Sequence, residues 1–176
     1  RMTYDELRAE TLSVAQAITL LGVQQGDRVA LLLHDSPGFV TAFIAICSLG
    51  AIAVPINMGL RPDEQRLILN NSGARLAILE ADICNTLLTD ASEKLPDLKD
   101  IVVIERRAKT AFRALGDVRR EAASSDLPEF ATPDEDQPAF ILYTSGSTGD
   151  PKGAVHTQAH IFYTNEAFCR EVLHVN

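Results

Sequence analysis

The segment Gly26–Asn57, GDRVALLLHDSPGFVTAFIAICSLGAIAVPIN, decides the fold. A turn leads into the continuous apolar run Val29–Leu33, which is typical of a strand buried on both faces of a parallel sheet. Ser36 and Pro37 then supply a capping hydroxyl and a proline at the first helical position, and Gly50 ends the helix that they begin. The run AIAVPIN after that glycine predicts a second strand. The order strand, helix, strand indicates two parallel strands joined by a crossover helix.

The same alternation continues on either side of this unit. Thr3 and Glu6 form a T-x-x-E capping box that begins a leading helix over residues 3–22. Downstream, RPDEQRLILNNSG and CNTLLTDASEKL predict helices, while RLAILE and DIVVIE predict strands, so that repeated β/α units span residues 28–105. The predicted fold class is therefore α/β: a doubly wound, mostly parallel sheet with helices on both faces and its ligand at the carboxyl ends of the strands.

The last third of the chain departs from this regular pattern. Residues 106–137 begin basic and end acidic and proline-rich, which predicts a solvated helix followed by a variable surface linker. Residues 138–176 then give a fifth strand, AFILYT, a glycine-rich loop, and a helix over TQAHIFYTNEAFCREVLH.

Composition excludes several classes of function. The 176 residues suit one domain or a piece of a larger one, and the net charge of −8 disfavours nucleic-acid partners and anionic membrane surfaces. The longest apolar run, Ala42–Ile56, is too short for a membrane helix, and the polar start shows no signal peptide. The spacing of Cys47, Cys84 and Cys169 fits neither a metal site nor a redox motif, which indicates buried thiols. These features predict a cytoplasmic protein in a reducing compartment.

The stretch YTSGSTGDPKG, Tyr143–Gly153, carries the chemistry. Glycines allow the backbone to approach an anion closely, hydroxyls and successive amides donate to it, and Lys152 adds a positive charge. The spacing differs from the P-loop pattern G-x-x-x-x-G-K-[ST] of ordinary nucleotide triphosphatases. Its position between an apolar strand and a predicted helix favours phosphate binding, with a flexible Ser/Gly surface loop as the alternative.

This stretch also resembles the signature phosphate loop of the adenylate-forming, or AMP-binding, superfamily. That superfamily comprises acyl- and aryl-CoA synthetases, the adenylation domains of peptide synthetases, and firefly luciferase. Residues 3–80 are similar to the early segment of the family, including G-V-x-x-G-D-R-V-A and G-A-x-x-V-P-x-N, and the likeness resumes over residues 137–161. Asn57, where peptide-synthetase domains usually carry Asp, resembles the CoA-ligase branch.

The resemblance implies a two-step reaction in which a carboxylic acid and ATP form an acyl-adenylate, from which coenzyme A then displaces AMP. It implies Mg²⁺ beside the phosphates and Lys152 as the catalytic charge that stabilises the leaving pyrophosphate. The residues that it places around the ATP phosphates are Thr144, Ser145, Gly146, Ser147, Thr148, Gly149 and Lys152. No residue of the chain is assigned to a metal.

Other expectations concern what the chain does not contain. The later family segments, for the adenine, the ribose and a catalytic lysine, are absent, so we expect an N-terminal portion that requires the remainder of the polypeptide and is inactive alone. Gln158 stands where the family often has His, which leaves its role open, while His156 is retained. The alternatives are a ligase for a carrier protein and a stand-alone nucleotide-binding module. The sequence does not indicate which acid is used.

Overall fold

A computed structural model describes residues 2–88, 97–104, 112–144 and 151–174. The helices are α1 (Tyr4–Leu20), α2 (Pro37–Ser48), α3 (Pro62–Ser72), α4 (Ala81–Leu88), α5 (Leu115–Ala122) and α6 (Gln158–Thr164), which continues into a π-helical segment (Asn165–Arg170). The strands are β1 (Arg28–Leu32), β2 (Ile52–Pro55), β3 (Leu76–Leu79), β4 (Asp100–Val103), β5 (Arg113–Ala114), β6 (Pro138–Thr144) and β7 (Lys152–Thr157).

The strands of the described residues form one seven-stranded sheet in the order β5-β4-β3-β1-β2-β6-β7. All neighbours in this sheet run parallel except β6 and β7, which pair antiparallel. This arrangement confirms the predicted mostly parallel α/β fold. Because β6 runs parallel to β2, the carboxyl end of β6 lies at the same edge of the sheet as the carboxyl ends of the other parallel strands.

Alternate residues of the central strands divide the core into two layers, as the pleat of a strand requires. On β1, Val29 and Leu31 pack with α1, α2 and α5 on one face of the sheet. Ala30 and Leu32 pack with α3 and α4 on the opposite face. All four side chains are buried, so β1 is covered on both sides, which explains its continuous apolar sequence.

The helix ends follow the predicted capping chemistry. Thr3 and Glu6 form the capping box of α1, with the Thr3 backbone amide donating to Glu6 Oε2 at 2.7 Å. Ser36 Oγ accepts from the Phe39 amide at 3.2 Å, which satisfies one free donor of α2. Gly50 follows α2 with a φ of 69°, a left-handed conformation that side-chain-bearing residues rarely adopt.

Residues 106–137, interpreted above as a solvated helix and a linker, contribute to the fold. The short strand β5 extends the parallel sheet beyond β4, and α5 packs against α1. The spacing of Leu115, Val118 and Ala122 gives α5 one apolar face, and all three side chains are buried. From the same side of α5, one turn after Leu115, Arg119 donates to Ser13 Oγ at 2.8 Å and pairs with Glu10 at 2.6 Å on α1. A short apolar face is easily overlooked beside so many charged residues. Residues 106–111 of this region lie outside the described part of the chain.

The helix predicted over residues 157–174 is present as α6 and the π-helical segment over residues 158–170, but a strand that was not predicted precedes it. Lys152–Thr157 forms β7, which pairs antiparallel with β6, and α6 begins only at Gln158. Without β7 one edge of β6 would present unpaired backbone groups, and the hairpin satisfies them. The loop therefore joins two strands and has no helix N-terminus immediately behind it.

The cysteines agree in part with the expectation of buried thiols. Cys84 is buried, whereas Cys47 and Cys169 are partly exposed, and all three are free thiols. Burial raises the pKa of Cys47 to about 12 and that of Cys84 to about 11. Within the described ranges, every helix is too short or too polar to cross a lipid bilayer.

Candidate functional site: the mouth of the β6–β7 hairpin

Two of the predicted phosphate-binding residues face each other where the hairpin opens. Thr144, the last residue of β6, is paired with Lys152, the first residue of β7. Both are exposed at the carboxyl edge of the parallel sheet, where ligands of doubly wound folds bind. The other predicted residues, Ser145, Gly146, Ser147, Thr148 and Gly149, lie outside the described residues.

A β-bulge and a buried contact attach the hairpin to the rest of the molecule. The register between β6 and β7 shifts between Pro138 and Phe140, and this shift leaves Ala139 as the extra residue. The carbonyl of Ala139 accepts from Cys47 Sγ of α2 at 3.5 Å. Ala139 is fully buried, so the base of β6 is held inside the molecule while its carboxyl end reaches solvent.

Two adjoining clefts lie beside the mouth of the hairpin. The first, of about 570 Å³, runs along the start of α3, and its walls include Arg61, Thr144 and Pro151. The second, of about 380 Å³, lies at the ends of β1 and β2, and its walls include His34 and Asp35. The lining residues common to both clefts are Asn57, Leu60, Ile68 and Tyr143. A ligand held between Thr144 and Lys152 would therefore have space next to it on this side of the sheet.

The side chain of Asn57 has a structural role at this edge. Its Oδ1 accepts from the Gly59 amide at 2.8 Å, which closes a turn between β2 and α3. The Gln65 side-chain amide donates to the Asn57 carbonyl at 3.3 Å and to the Met58 carbonyl at 3.4 Å. Asn57, the residue at which the sequence resembles the CoA-ligase branch, thus shapes the wall of the clefts.

Tyr143 lies next to the hairpin mouth and bonds to another element. Its hydroxyl donates to Asn71 Oδ1 of α3 at 2.7 Å. Its ring covers Gly153, the residue paired with it on β7, because a Cβ on that glycine would lie 3.1 Å from the Tyr143 Cζ and 2.9 Å from Ile141 Cγ2. Burial raises the pKa of Tyr143, partly offset by the positive charge of Arg28, so the hydroxyl remains a donor at neutral pH.

Sequence reasoning did not identify the contact between Tyr143 and Asn71. The two residues are 72 positions apart in the chain, and neither belongs to a recognisable pair pattern. Only the packing of α3 beside the end of β6 brings them together, so no signal in the sequence could have shown it.

An aromatic row crosses the base of the hairpin. Phe39 and Phe43 of α2 lead to Phe140 of β6, which stacks on His156 of β7 with ring centroids 4.5 Å apart and an angle of 3°. His156 meets the edge of His160, whose Nδ1 accepts from the Thr157 amide at the start of α6. The retained His156 thus packs between β6 and α6, and His160 caps the helix.

Gln158 begins α6. Its backbone amide donates to the Gln137 carbonyl at 3.0 Å. Its side-chain Nε2 is buried and finds no acceptor among the described residues. Gln158 is therefore the first residue of a helix, and its buried side-chain amide has no hydrogen-bond acceptor within the described ranges.

The mostly parallel sheet, extended at one edge by an antiparallel hairpin, is the fold of the N-terminal domains of adenylate-forming enzymes. Residues 1–175 match the family model described as AMP-binding enzyme, and the chain belongs to that family.

The relatives are CoA ligases. The chain is 37% identical over 161 residues to the long-chain-fatty-acid–CoA ligase FadD13 of Mycobacterium tuberculosis, covering 92% of the chain and 30% of that enzyme. It is 33% identical to the benzoate–CoA ligase of Thauera aromatica, covering 97% of the chain and 32% of that enzyme. The crystal structure of the anthranilate CoA ligase AuaEII in complex with anthranoyl-AMP matches with a TM-score of 0.87 and 33% identity, over 97% of this chain and 32% of that one. The chain thus spans about a third of the length of these relatives.

Proposed function

We propose that this chain forms the N-terminal, ATP phosphate-binding portion of a carboxylic acid–CoA ligase. The observation that carries the proposal is the pairing of Thr144 with Lys152 at the carboxyl edge of the sheet, next to open clefts. The identity of 37% to a fatty acid–CoA ligase and 33% to a benzoate–CoA ligase supports the reaction class. The acid itself is left open, because these relatives use both aliphatic and aromatic acids.

In the first step, a carboxylate oxygen of the acid attacks the α-phosphorus of ATP. The bond between that phosphorus and the oxygen bridging to the β-phosphate breaks, which gives an acyl-adenylate and pyrophosphate. In the second step, the sulfur of coenzyme A, having lost its proton, attacks the acyl carbon. The bond to the AMP oxygen breaks, and AMP leaves.

The role proposed for Lys152 follows from where charge builds up. As pyrophosphate leaves, negative charge accumulates on the β- and γ-phosphates, and an exposed ammonium at the hairpin mouth would stabilise it. Thr144 would donate its hydroxyl to the same phosphates, together with the predicted donors Ser145, Gly146, Ser147, Thr148 and Gly149. The chemistry requires positioning and charge stabilisation, with little covalent work by the protein.

Mg²⁺ would enter this site with the nucleotide. The described ranges contain no group of three His, Cys, Asp or Glu side chains that could hold a metal ion. Mg²⁺ is commonly bound through substrate phosphates, where it neutralises part of their charge. Lys152 would therefore share the phosphate charge with the ion.

The test is Lys152→Ala in the full-length protein that contains this chain. Removal of a comparable electrostatic donor costs roughly 10²–10³-fold in rate, so we expect single-turnover adenylate formation to slow by about that factor while the KM for the acid changes little. Lys99→Ala is the matched control. Lys99 is an exposed lysine that directly precedes β4, so it lies at the amino ends of the parallel strands, away from the hairpin mouth. Adenylate formation at the wild-type rate in Lys152→Ala would contradict the proposal.

The second step is tested by the acceptor. Consumption of the adenylate by coenzyme A supports a CoA ligase. Consumption only by a carrier-protein phosphopantetheine thiol would instead assign the chain to a carrier-protein ligase.

A further inference from the structure

The ladder that joins the hairpin to the parallel strands lies near the base of β6. The central strands pair through four residues each, as β1 does with both β2 and β3. Among the described residues, the ladder between β2 and β6 is recorded at one pair, Ala53 opposite Phe140. Thr144 lies four residues beyond Phe140 on β6, so the hairpin mouth is some distance from this pair, although β6 lies alongside β2.

The contact between Tyr143 and Asn71 provides a second attachment, close to the mouth itself. Tyr143 directly precedes Thr144, and its partner on β7, Gly153, directly follows Lys152. The 2.7 Å hydrogen bond from Tyr143 to Asn71 therefore connects α3, a helix packed in the core, to the residue pair next to the proposed phosphate contacts.

Gly153 makes the attachment depend on the orientation of the tyrosine ring. With no Cβ on Gly153, the ring lies directly over the backbone of β7 and reaches Asn71. The ring thus contacts both strands of the hairpin, and its hydrogen bond anchors the residue pair next to Thr144 and Lys152. A tether with these contacts restrains the backbone of both strands next to Thr144 and Lys152.

We propose that Tyr143 is a positioning residue for the phosphate site, acting through its hydrogen bond to Asn71 to fix the orientation of Thr144 and Lys152. This inference rests on the proposed function. It concerns ATP and not the acid, because the residues that the tether orients are the proposed phosphate contacts.

The experiment compares Tyr143→Phe and Asn71→Leu with wild type in the full-length protein. Each change removes one partner of the hydrogen bond and keeps a side chain of similar size. We expect each to raise the KM for ATP by roughly threefold to tenfold, the range that one neutral hydrogen bond supports. The KM for the acid should stay within about twofold of the wild-type value. A general effect on folding would instead change the KM for both substrates, so the comparison separates the two explanations.

Three further variants separate positioning from general structure. Asn71→Asp keeps an oxygen that can accept from the Tyr143 hydroxyl, so its KM for ATP should equal that of the wild type. The double variant Tyr143→Phe with Asn71→Leu should be no worse than either single variant, since both remove the same bond. Tyr4→Phe, on an exposed tyrosine of α1, makes the same chemical change away from the hairpin and should have no effect.

The outcomes are distinguishable from those of the proposed function. If Lys152→Ala slows adenylate formation and Tyr143→Phe leaves the KM for ATP unchanged, the positioning role is wrong and the phosphate site stands. Equal losses for ATP and the acid, in proportion to a lower melting temperature, would also overturn it, because they indicate a purely structural contact. If Lys152→Ala has no effect, the proposed function itself fails.

Discussion

The two parts of the sheet differ in how they are covered. In the parallel part, all four residues of β3 are buried and their neighbours on both sides pair with them along their length. In the antiparallel part, the first four residues of β7 are exposed, and α6 exposes Ile161, Phe162 and Tyr163. The side chains of the parallel part are therefore buried within the chain. The hairpin and α6 instead expose side chains that a ligand or further polypeptide can contact.

The largest expected contrast comes from matched truncations in the two parts. Ile78→Ala removes a fully buried side chain of β3, and we expect it to lower the free energy of unfolding by about 2–5 kcal/mol. Val155→Ala, on β7, removes a side chain that is 53% exposed, and we expect a change within about 0.5 kcal/mol. Urea denaturation followed by circular dichroism measures both.

Equal losses at the two positions would contradict the comparison. A loss at Val155 that arises only in the longer protein would sharpen it, because it would show that further polypeptide covers β7.

A pair of glycines tests how the parallel part connects to the segment that leads into β6. Gly50 and Gly26 both have positive φ, so alanine costs about 1–2 kcal/mol of conformational energy at either position. At Gly50 the added Cβ would also lie 2.9 Å from the Ala131 Cβ and from Gln25 Cγ, whereas at Gly26 it would meet nothing within 4 Å. We expect Gly50→Ala to be worse than Gly26→Ala by about 1–3 kcal/mol, the usual range for overpacking.

The measurement is the difference in unfolding free energy between these two variants. Indistinguishable values would mean that the chain around Ala131 moves aside without cost, so that the segment before β6 is only loosely attached to α2.

A smaller effect depends on pH. Burial raises the pKa of Cys47, which donates to the Ala139 carbonyl, to about 12 in the folded chain. In the unfolded chain a thiol ionises near pH 8.5, so above that pH the unfolded state binds fewer protons than the folded state, and stability falls as pH rises. We expect this thiol to contribute a loss of about 1 kcal/mol between pH 8 and 9.5.

The check is the pH dependence of unfolding for wild type and Cys47→Ala. The variant should have a shallower decline in this range and the same profile below pH 8. Identical slopes would mean that the thiol at the junction of α2 and β6 is accessible to water.

The parallel part could be predicted from sequence because its signals are local. The apolar run at Val29–Leu33, the Ser36 and Pro37 start of α2, and Gly50 each report on their own neighbourhood, and each matches the structure within a residue or two. The short strand β5 and the packing face of α5 were missed because their apolar residues are few and stand among charges.

The site was predictable only in part. Composition and resemblance pointed to Thr144 and Lys152, which the structure places opposite each other. The helix expected after the loop is present as α6, but the strand β7 before it was missed, because no local signal marked Lys152–Thr157 as a strand, and the backbone groups of β6 required a partner. The Tyr143 contact with Asn71 depends on the packing of α3, which a single sequence does not encode in any short pattern.

The order of strands in the sheet has a consequence for how the molecule assembles. Each of β1 to β5 pairs with a strand that is close to it in the chain. In contrast, β6 pairs with β2, from which it is separated in sequence by β3, β4, β5 and the helices between them. Contacts between distant parts of a chain form slowly, because closing a long loop costs entropy before any contact compensates for it. We therefore expect the hairpin to join last, on a scaffold already in place. A nascent chain would then have a nearly complete core well before the proposed phosphate contacts at the hairpin mouth could form.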